Sequence, residues 1–355
     1  VPLQKPLKMA VATVHERTCI VVRIETDDGV VGLGEAVLTL YFSGESLASG
    51  AHLIRNVFGP LLIGRDPTEL YSIRKMMRKI AVHNNGARAA VEMALHDITA
   101  KAAGMPLFQF YGGRSREAVP TIWHVSGGDP ASNAEDAARA VHDEGYRLVK
   151  VKVGGDVDVD IAKVLAVRDA VGPEVMLLPD ANQGWDVPAA LRFCHGIAET
   201  NPGFLEQPVP AHDVLGMAQV NAGPVPIAGD EGVFDAAALR LHLQLGAVSA
   251  VVTKLMKAAG PIGVREVFAV ADAAAIGVHF AGMAGQTSIG AAHAAHLALA
   301  VPNLRYGSGI CPYYLKGDVV TEPFRPVQGM LHPPEKPGLG LDLDEESVAR
   351  FLVDL

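Results

Sequence analysis

In Arg147-Leu148-Val149-Lys150-Val151-Lys152-Val153 valine and lysine alternate from Val149 onward, and the chain on either side is organised around this stretch. A period of two places Lys150 and Lys152 on one face of a strand and Val149, Val151 and Val153 on the other. Lys152 also opens a series: Asp180, Glu206, Asp230 and Lys254 follow at intervals of 28, 26, 24 and 24 residues. One strand, its returning helix and two short loops need roughly 30 residues, so each charge falls once per β/α unit. Each also closes a short apolar run: Val175 to Asp180, Phe204 to Glu206, Pro226 to Asp230 and Val248 to Lys254. Such runs between helical patterns read as parallel strands covered on both faces.

If the valines pack beneath helices, both lysines point into a barrel, and the charges at the strand ends converge on one cavity. Three carboxylates gathered there repel one another unless a cation is present. Three oxygen ligands completed by water and substrate suit Mg²⁺. Lys254 lies four strands round from Lys152, diametrically opposite in an eight-stranded barrel, so the two lysines would flank a substrate. The competing explanation, helix N-caps after βα loops, accounts for a single Asp; Glu206 is a poor N-cap, and three acids in step are harder to dismiss.

Composition sets the outer bounds. The chain has 355 residues, 49% of them hydrophobic and 19% charged, and a net charge of −9. Its length predicts a barrel of about 200 residues plus a second domain. The acidic balance argues against nucleic acid as a partner. No run of about 18 uncharged apolar residues marks a membrane span, and no basic segment with a cleavage site opens the chain, so a cytoplasmic protein is expected. Cys19, Cys194 and Cys311 read as buried free thiols.

Residues 1–118 predict an α+β unit. Ile20 to Glu25 and Val30 to Ala36 form a hairpin about the Asp27-Asp28-Gly29 turn, and Tyr41 to Ser46 reads as a surface loop. Helices follow over 67–80 and 86–103, the second carrying His96 and Asp97 as structural polar groups. Residues 119–318 predict the barrel. Its first strand runs from Thr121 to Val125, a helix over 133–144 is capped by Ser132 or Asn133, and the last strand is Leu304 to Tyr306. Residues 319–355 read as a return to the first unit. His293 and His296 are expected in the core, since no acidic residue flanks them.

Lys150-x-Lys152, Asp180-x-Asn182, Glu206-Gln207-Pro208, Asp230-Glu231 and Lys254, in this order and spacing, resemble the muconate lactonizing enzyme subgroup of the enolase superfamily. The likeness extends to Gly32–Ala36, the Tyr41–Ser46 loop, Gly112-Gly113 and Pro337–Leu341. It implies an α+β capping domain on a modified TIM barrel, (β/α)7β, with Mg²⁺ on Asp180, Glu206 and Asp230, Mn²⁺ as an expected substitute, and Asn182 and Glu231 behind them. It also implies a small carboxylate substrate whose α-proton leaves to give an enediolate. Lys150 would hold the carboxylate and lower the pKa of Lys152, the base, with Lys254 opposite. Tyr41, Phe42 and Trp123 are expected to touch the substrate, as is Gln286, which stands where many members carry Glu. Cycloisomerisation of the muconate kind is favoured slightly; racemisation, epimerisation and dehydration share its first step. A metal-binding barrel without catalysis is the alternative of another class, which the intact lysines oppose. A homo-oligomer is expected, and the loops at Lys5–Met9 and Tyr41–Ser46 are expected to set specificity.

Overall fold

The structure is a computed structural model and describes residues 1–8 and 13–353. Strands β1 (Pro2–Lys8) and β2 (Thr13–Glu16) pair antiparallel, as do β3 (Ile20–Glu25) and β4 (Val31–Ala36). Of the expected Lys5–Met9 specificity loop, Lys5–Lys8 therefore lie in β1, and Met9 falls outside the described residues. The α-helices that follow are α1 (Leu40–Ser43), α2 (Leu47–His52), α3 (Gly59–Leu62), α4 (Leu70–Ile80), α5 (Asn85–Ala102) and α6 (Leu107–Phe110), with a π-helical stretch over Leu53–Phe58 between α2 and α3. The Tyr41–Ser46 stretch is thus not wholly a loop: Tyr41 and Phe42 sit on a single helical turn that Gly44 ends in the left-handed conformation. Strand β4 lies directly on α5. A side chain at Gly34 would collide with the Ala90 carbonyl, and one at Gly32 with that of Ala94.

The barrel strands are β5 (Trp123–Val125), β6 (Leu148–Lys152), β7 (Met176–Asp180), β8 (Leu205–Glu206), β9 (Ile227–Gly229), β10 (Ala250–Thr253), β11 (Gly277–Ala281) and β12 (Ser308–Gly309). Each runs parallel to the next, and a parallel bridge from Thr121 to Ser308 joins first to last. Between them lie α7 (Pro130–His142), α8 (Val157–Val171), α9 (Val187–Ile197), α10 (Val214–Asn221), α11 (Ala236–Gln244), α12 (Pro261–Ala273) and α13 (Ser288–Ala300). The architecture is a (β/α)7β barrel with a separate α+β unit.

Strand alternation divides the core in two. Ile122, Leu148, Leu178, Phe204, Ala228, Ala250 and Val252 form one apolar cluster inside the barrel. Val149, Val151, Leu177, Leu205, Ile227 and Val251 belong to the larger cluster shared with the helices. Because Lys150 alternates with Val149 and Val151, burying the valines under α7 and α8 commits the lysines to the interior.

Two boundaries differ from expectation. Helix α7 starts at Pro130 and is capped by Asp129, whose side chain accepts from the Ser132 amide, rather than by Ser132 or Asn133; Asp followed by Pro at the first helical position is the stronger start signal. The last barrel strand is Ser308–Gly309, because Gly307 turns the chain with φ 64° after Tyr306, whose ring packs on Phe204 at the barrel floor.

The segment after residue 318 contacts the first unit. Leu339 donates its amide to Asp97 (2.7 Å), and Gly338 exchanges backbone hydrogen bonds with Met105 and Leu107. His293 pairs with the Leu33 carbonyl and His296 with that of Leu339, so both histidines fasten elements together. Cys194 and Cys311 are buried free thiols, whereas Cys19 is partly exposed. Among the described residues no helix is long and apolar enough to cross a membrane.

Candidate active site

The carboxyl ends of the barrel strands carry the charges that the alternation predicts. In-register pairing sets His124 beside Lys150, Lys152 beside Asp180, and Asp180 beside Glu206. Asp230 follows β9 directly, and Lys254 follows β10. All of these line one cavity, together with Arg17, Tyr41 and Phe42 from the first unit and Gly282 to Ala284 after β11.

The lysines and carboxylates interlock. Lys150 donates to Glu206 Oε2 (2.6 Å) and, more weakly, to Asp180 Oδ2 (3.4 Å). Lys152 donates to the same Asp180 Oδ2 (2.5 Å) and to Asn182 Oδ1 (2.7 Å). Asn182 passes the network on, donating from Nδ2 to Glu231 Oε1 (3.1 Å). Lys254 holds Asp230 Oδ2 (2.5 Å), and its ammonium lies 4.2 Å from the centre of the Phe42 ring, a cation–π seat that ties the first unit to the barrel chemistry.

Lys257 and Gln207 complete the frame. Lys257 is fully buried and donates to Asp230 Oδ1 and the Asp230 carbonyl (2.6 Å each) and to the Val252 carbonyl (2.8 Å). Gln207 accepts from the amides of Asp230 and Gly232 (3.0 Å each), so the residue after Glu206 fixes the loop that carries Asp230.

Burial sharpens the electrostatics. It would raise the Asp180 carboxyl, but Lys152 and Lys150 override it and hold the group well below the usual carboxylate range. Asp230 is held low in the same way by Lys254 and Lys257. Glu206 is pushed up to about 8 by burial and by the neighbouring Asp180 and Asp230 charges. Burial would lower Lys150, yet Glu206 and Asp180 keep it above the ordinary lysine range. His124 is driven well down by burial and by Lys150 and Lys152, so its imidazole is neutral.

Asp180, Glu206 and Asp230 stand on consecutive strands and are each 1% exposed, a set of hard oxygen donors of the type Mg²⁺ takes. Among the described residues no three acidic, imidazole or thiol groups are gathered tightly enough to hold an ion, because lysine ammoniums lie between them. The donor set nonetheless fits a cation. Lys150 bridges two of the three carboxylates, and Glu206, which accepts only through Oε2, remains short of positive charge.

Two expected contacts fall elsewhere. Trp123 is in register with Val149 and so points outward; it stacks on Tyr313 (4.9 Å) and donates to Asp136. The neighbour His124 takes the inward place. Gln286 does not reach the cavity either: its Oε1 accepts from the Met283 amide, and it lines a smaller recess beside Glu35. Arg17, His124 and Lys257 are the site residues missing from the sequence reading. Alternation through Ile122 gave a signal for His124, and the three-residue step from Lys254 one for Lys257; nothing local marks Arg17.

Comparison with known proteins agrees with this geometry. Residues 1–112 match the mandelate racemase/muconate lactonizing enzyme N-terminal domain, and residues 133–347 match the enolase C-terminal domain-like family. L-Ala-D/L-Glu epimerase of Bacillus subtilis is 35% identical over 96% of this chain and 93% of its own. A muconate lactonizing enzyme of Pseudomonas fluorescens, solved with muconolactone, superposes with a TM-score of 0.94 at 32% identity, covering 99% of this chain and 95% of that one. A dipeptide epimerase of Enterococcus faecalis, solved with Mg and L-Leu-L-Tyr, gives 0.91 at 31% identity over 96% of each chain. Both domains and the barrel agree, and the chain belongs to the mandelate racemase/muconate lactonizing enzyme family of the enolase superfamily, as an enzyme of isomerase relatives.

Proposed function

We propose that the protein is a Mg²⁺-dependent racemase or epimerase of a small carboxylate bearing a nitrogen substituent at its α-carbon, such as an N-acyl amino acid or a dipeptide. The observation that carries this reading is that Lys152 and Lys254 face one cavity from strands four apart, each paired with a carboxylate of the same row. Lys152 takes the α-proton from one face, and the Lys254 ammonium returns a proton to the other; the reverse direction exchanges the roles. Lys150 holds the substrate carboxylate. Mg²⁺ on Asp180, Glu206 and Asp230, with Asn182 and Glu231 behind them, would supply Lewis-acid stabilisation of the charge that builds on that carboxylate.

Charge balance supports a reaction through a dianion. Arg17, Lys150, Lys152 and Lys254 line the cavity with Asp180, Glu206, Asp230 and Glu231, and Lys257 lies behind Asp230, five cations against four acids. A divalent ion makes such a pocket more strongly positive, which favours a substrate that gains negative charge as it loses its proton. The named activities of the B. subtilis and E. faecalis relatives are of this kind.

One observation favours a second reading, muconate-type cycloisomerisation. Burial would lower Lys254, but Asp230, Glu206 and Glu231 override it, and the ring of Phe42 adds to the hold on a charged ammonium; a lysine that only holds charge suits a single-base reaction. The test is incubation of the Mg²⁺-loaded protein in deuterated buffer with N-acyl amino acids, dipeptides and cis,cis-muconate. Loss of optical purity with α-deuterium incorporation is expected. Lactone formation from muconate, with no α-exchange in any amino acid derivative, overturns it in favour of the second reading.

A further inference from the structure

Away from the lysine row, the first unit meets the barrel along a crevice that carries charge of its own. A cavity of about 530 Å³ lies between Arg78 on α4, Arg88 on α5, and Gly232, Phe234 and Asp235 before α11. A second of about 220 Å³ shares Arg78, Asn85, Arg88 and Asp235 with it. None of these residues lines the cavity that holds Lys152 and Lys254.

Arg88 is only 7% exposed, yet among the described residues it forms no ion pair. Its Nη2 donates to the His83 carbonyl (2.9 Å) and to Asn85 Oδ1, both uncharged, and its Nε is buried without an acceptor. Arg78, exposed at the rim, also makes no ion pair among the described residues. Arg74, one turn back along α4, is already engaged: it holds Glu266 through two 2.8 Å bonds and lies 3.5 Å from Glu92.

The acids of the crevice do not supply the missing partner. Glu45 accepts from the Gly86 and Ala87 amides (3.0 and 3.1 Å) at the start of α5, and Asp235 accepts from the Ala238 amide (2.8 Å) at the start of α11. Each carboxylate is thereby set against the positive end of a helix. Glu92, the remaining acid near Arg88, is pushed up to about 8 by burial and is largely protonated at neutral pH. Burial and the charges of Arg74 and Arg78 together lower Arg88 from its ordinary value, as expected where positive charge is in excess. A buried guanidinium left unpaired is costly, so its acceptor must come with a ligand.

We propose that this crevice binds a phosphate group, free or as a monoester, between Arg78 and Arg88. Two guanidiniums facing one volume match a doubly charged oxyanion better than a single carboxylate. Val82, Phe234 and Ala238 add an apolar wall that the rest of a monoester would cover. The site is independent of the racemase reading. Its position has a consequence for the first unit. Ser43, which ends the turn carrying Tyr41 and Phe42, borders the crevice, as does Phe234, whose ring lies 5.8 Å from that of Phe42. An occupant therefore fastens this turn and α5 to the barrel.

Calorimetric titration of the Mg²⁺-loaded protein with inorganic phosphate at low ionic strength tests the site. A Kd of about 1 mM or tighter is expected from two charge-assisted contacts, with acetate about tenfold weaker or more. No binding up to about 10 mM phosphate, or acetate binding as tightly as phosphate, overturns the proposal. Arg78→Ala removes an exposed side chain without a partner, and Arg88→Gln keeps an uncharged donor in the seam; each should weaken phosphate by about tenfold or more. Phosphate held by the lysine row would survive both substitutions, and wild-type affinity in Arg78→Ala overturns the proposal even if Arg88→Gln fails to fold. Phenyl phosphate then separates the two sources. Binding about tenfold tighter than phosphate marks a monoester, through the apolar area it covers, and equal or weaker binding marks free phosphate.

Discussion

Replacing Lys152 and Lys254 one at a time by Ala separates proton transfer from the framework that holds it. Asp180 loses its 2.5 Å contact in Lys152→Ala but keeps Lys150 at 3.4 Å and the Asn182 amide at 3.0 Å. Asp230 loses Oδ2 contact in Lys254→Ala but keeps Lys257 at 2.6 Å on Oδ1. Both acids remain partnered, so the loss is concentrated in proton transfer. A positioned acid or base contributes about 10²–10⁴-fold, or roughly 3–5 kcal/mol of barrier. Racemisation needs both lysines and should fall by at least that factor in either variant. The α-exchange of single enantiomers should instead split. In Lys152→Ala the ratio of exchange rates swings about 10²–10⁴-fold towards the enantiomer whose hydrogen faces Lys254, and in Lys254→Ala it swings the other way. Proton NMR of each pure enantiomer in deuterated buffer reads this directly. If both variants lose exchange of the same enantiomer, the lysines share a face and the opposed geometry is wrong.

Asp180→Asn, Glu206→Gln and Asp230→Asn should each weaken Mg²⁺ binding in calorimetry by more than the roughly 10–100-fold cost of outer-shell changes; wild-type affinity in a combined triple variant would show that the ion binds elsewhere. Lys257→Met leaves Asp230 and two carbonyls without their buried donor and should cost about 3–5 kcal/mol in chemical denaturation, and a loss under about 1 kcal/mol would mean that Lys257 is not a brace. Glu92 is pushed up to about 8, chiefly by burial, from an ordinary value of 4.5. The folded protein therefore keeps a proton that the unfolded chain releases, and this contribution is full below the unfolded value and is lost as pH rises through about 8, in total on the order of 5 kcal/mol. Melting temperatures of wild type and Glu92→Gln, compared between pH 4 and 9, should diverge accordingly; parallel curves would refute the assignment.

What the sequence revealed follows from the reach of its signals. Lys150 and Lys152 were legible because five-residue alternation fixes which face is which. The acid row was legible because a β/α unit has a nearly constant length. Trp123 misled because the family resemblance that names it does not fix the phase of its strand, whereas alternation through Ile122 turns His124 inward. Gln286 misled because position after a strand does not say which side of a turn a side chain takes. Arg17 was invisible: its setting is made by Gly285 and Tyr41, distant in sequence, and no local pattern reports a tertiary contact of that kind.

The same contrast explains how the two units divide the work. Three buried acids of the first unit are spent on fastening it to the barrel or its return segment. Glu35 accepts from Thr287 and Gly290 at the start of α13, Glu92 from the Ile262 amide in the first turn of α12, and Asp97 from Leu339. Each joins a helix end or strand to an element far away in the chain, where an unpaired amide would otherwise be buried at a cost. Their effect is to set Arg17, Tyr41 and Phe42 at fixed places over the strand ends, with Phe42 already resting on Lys254 and on Phe234. The barrel strands supply lysines and acids whose spacing the fold itself dictates, while the shape above them depends on a few side chains held by long-range hydrogen bonds. Substitutions in that upper layer can therefore change which carboxylate is admitted while the proton-transfer geometry below stays as the strands set it.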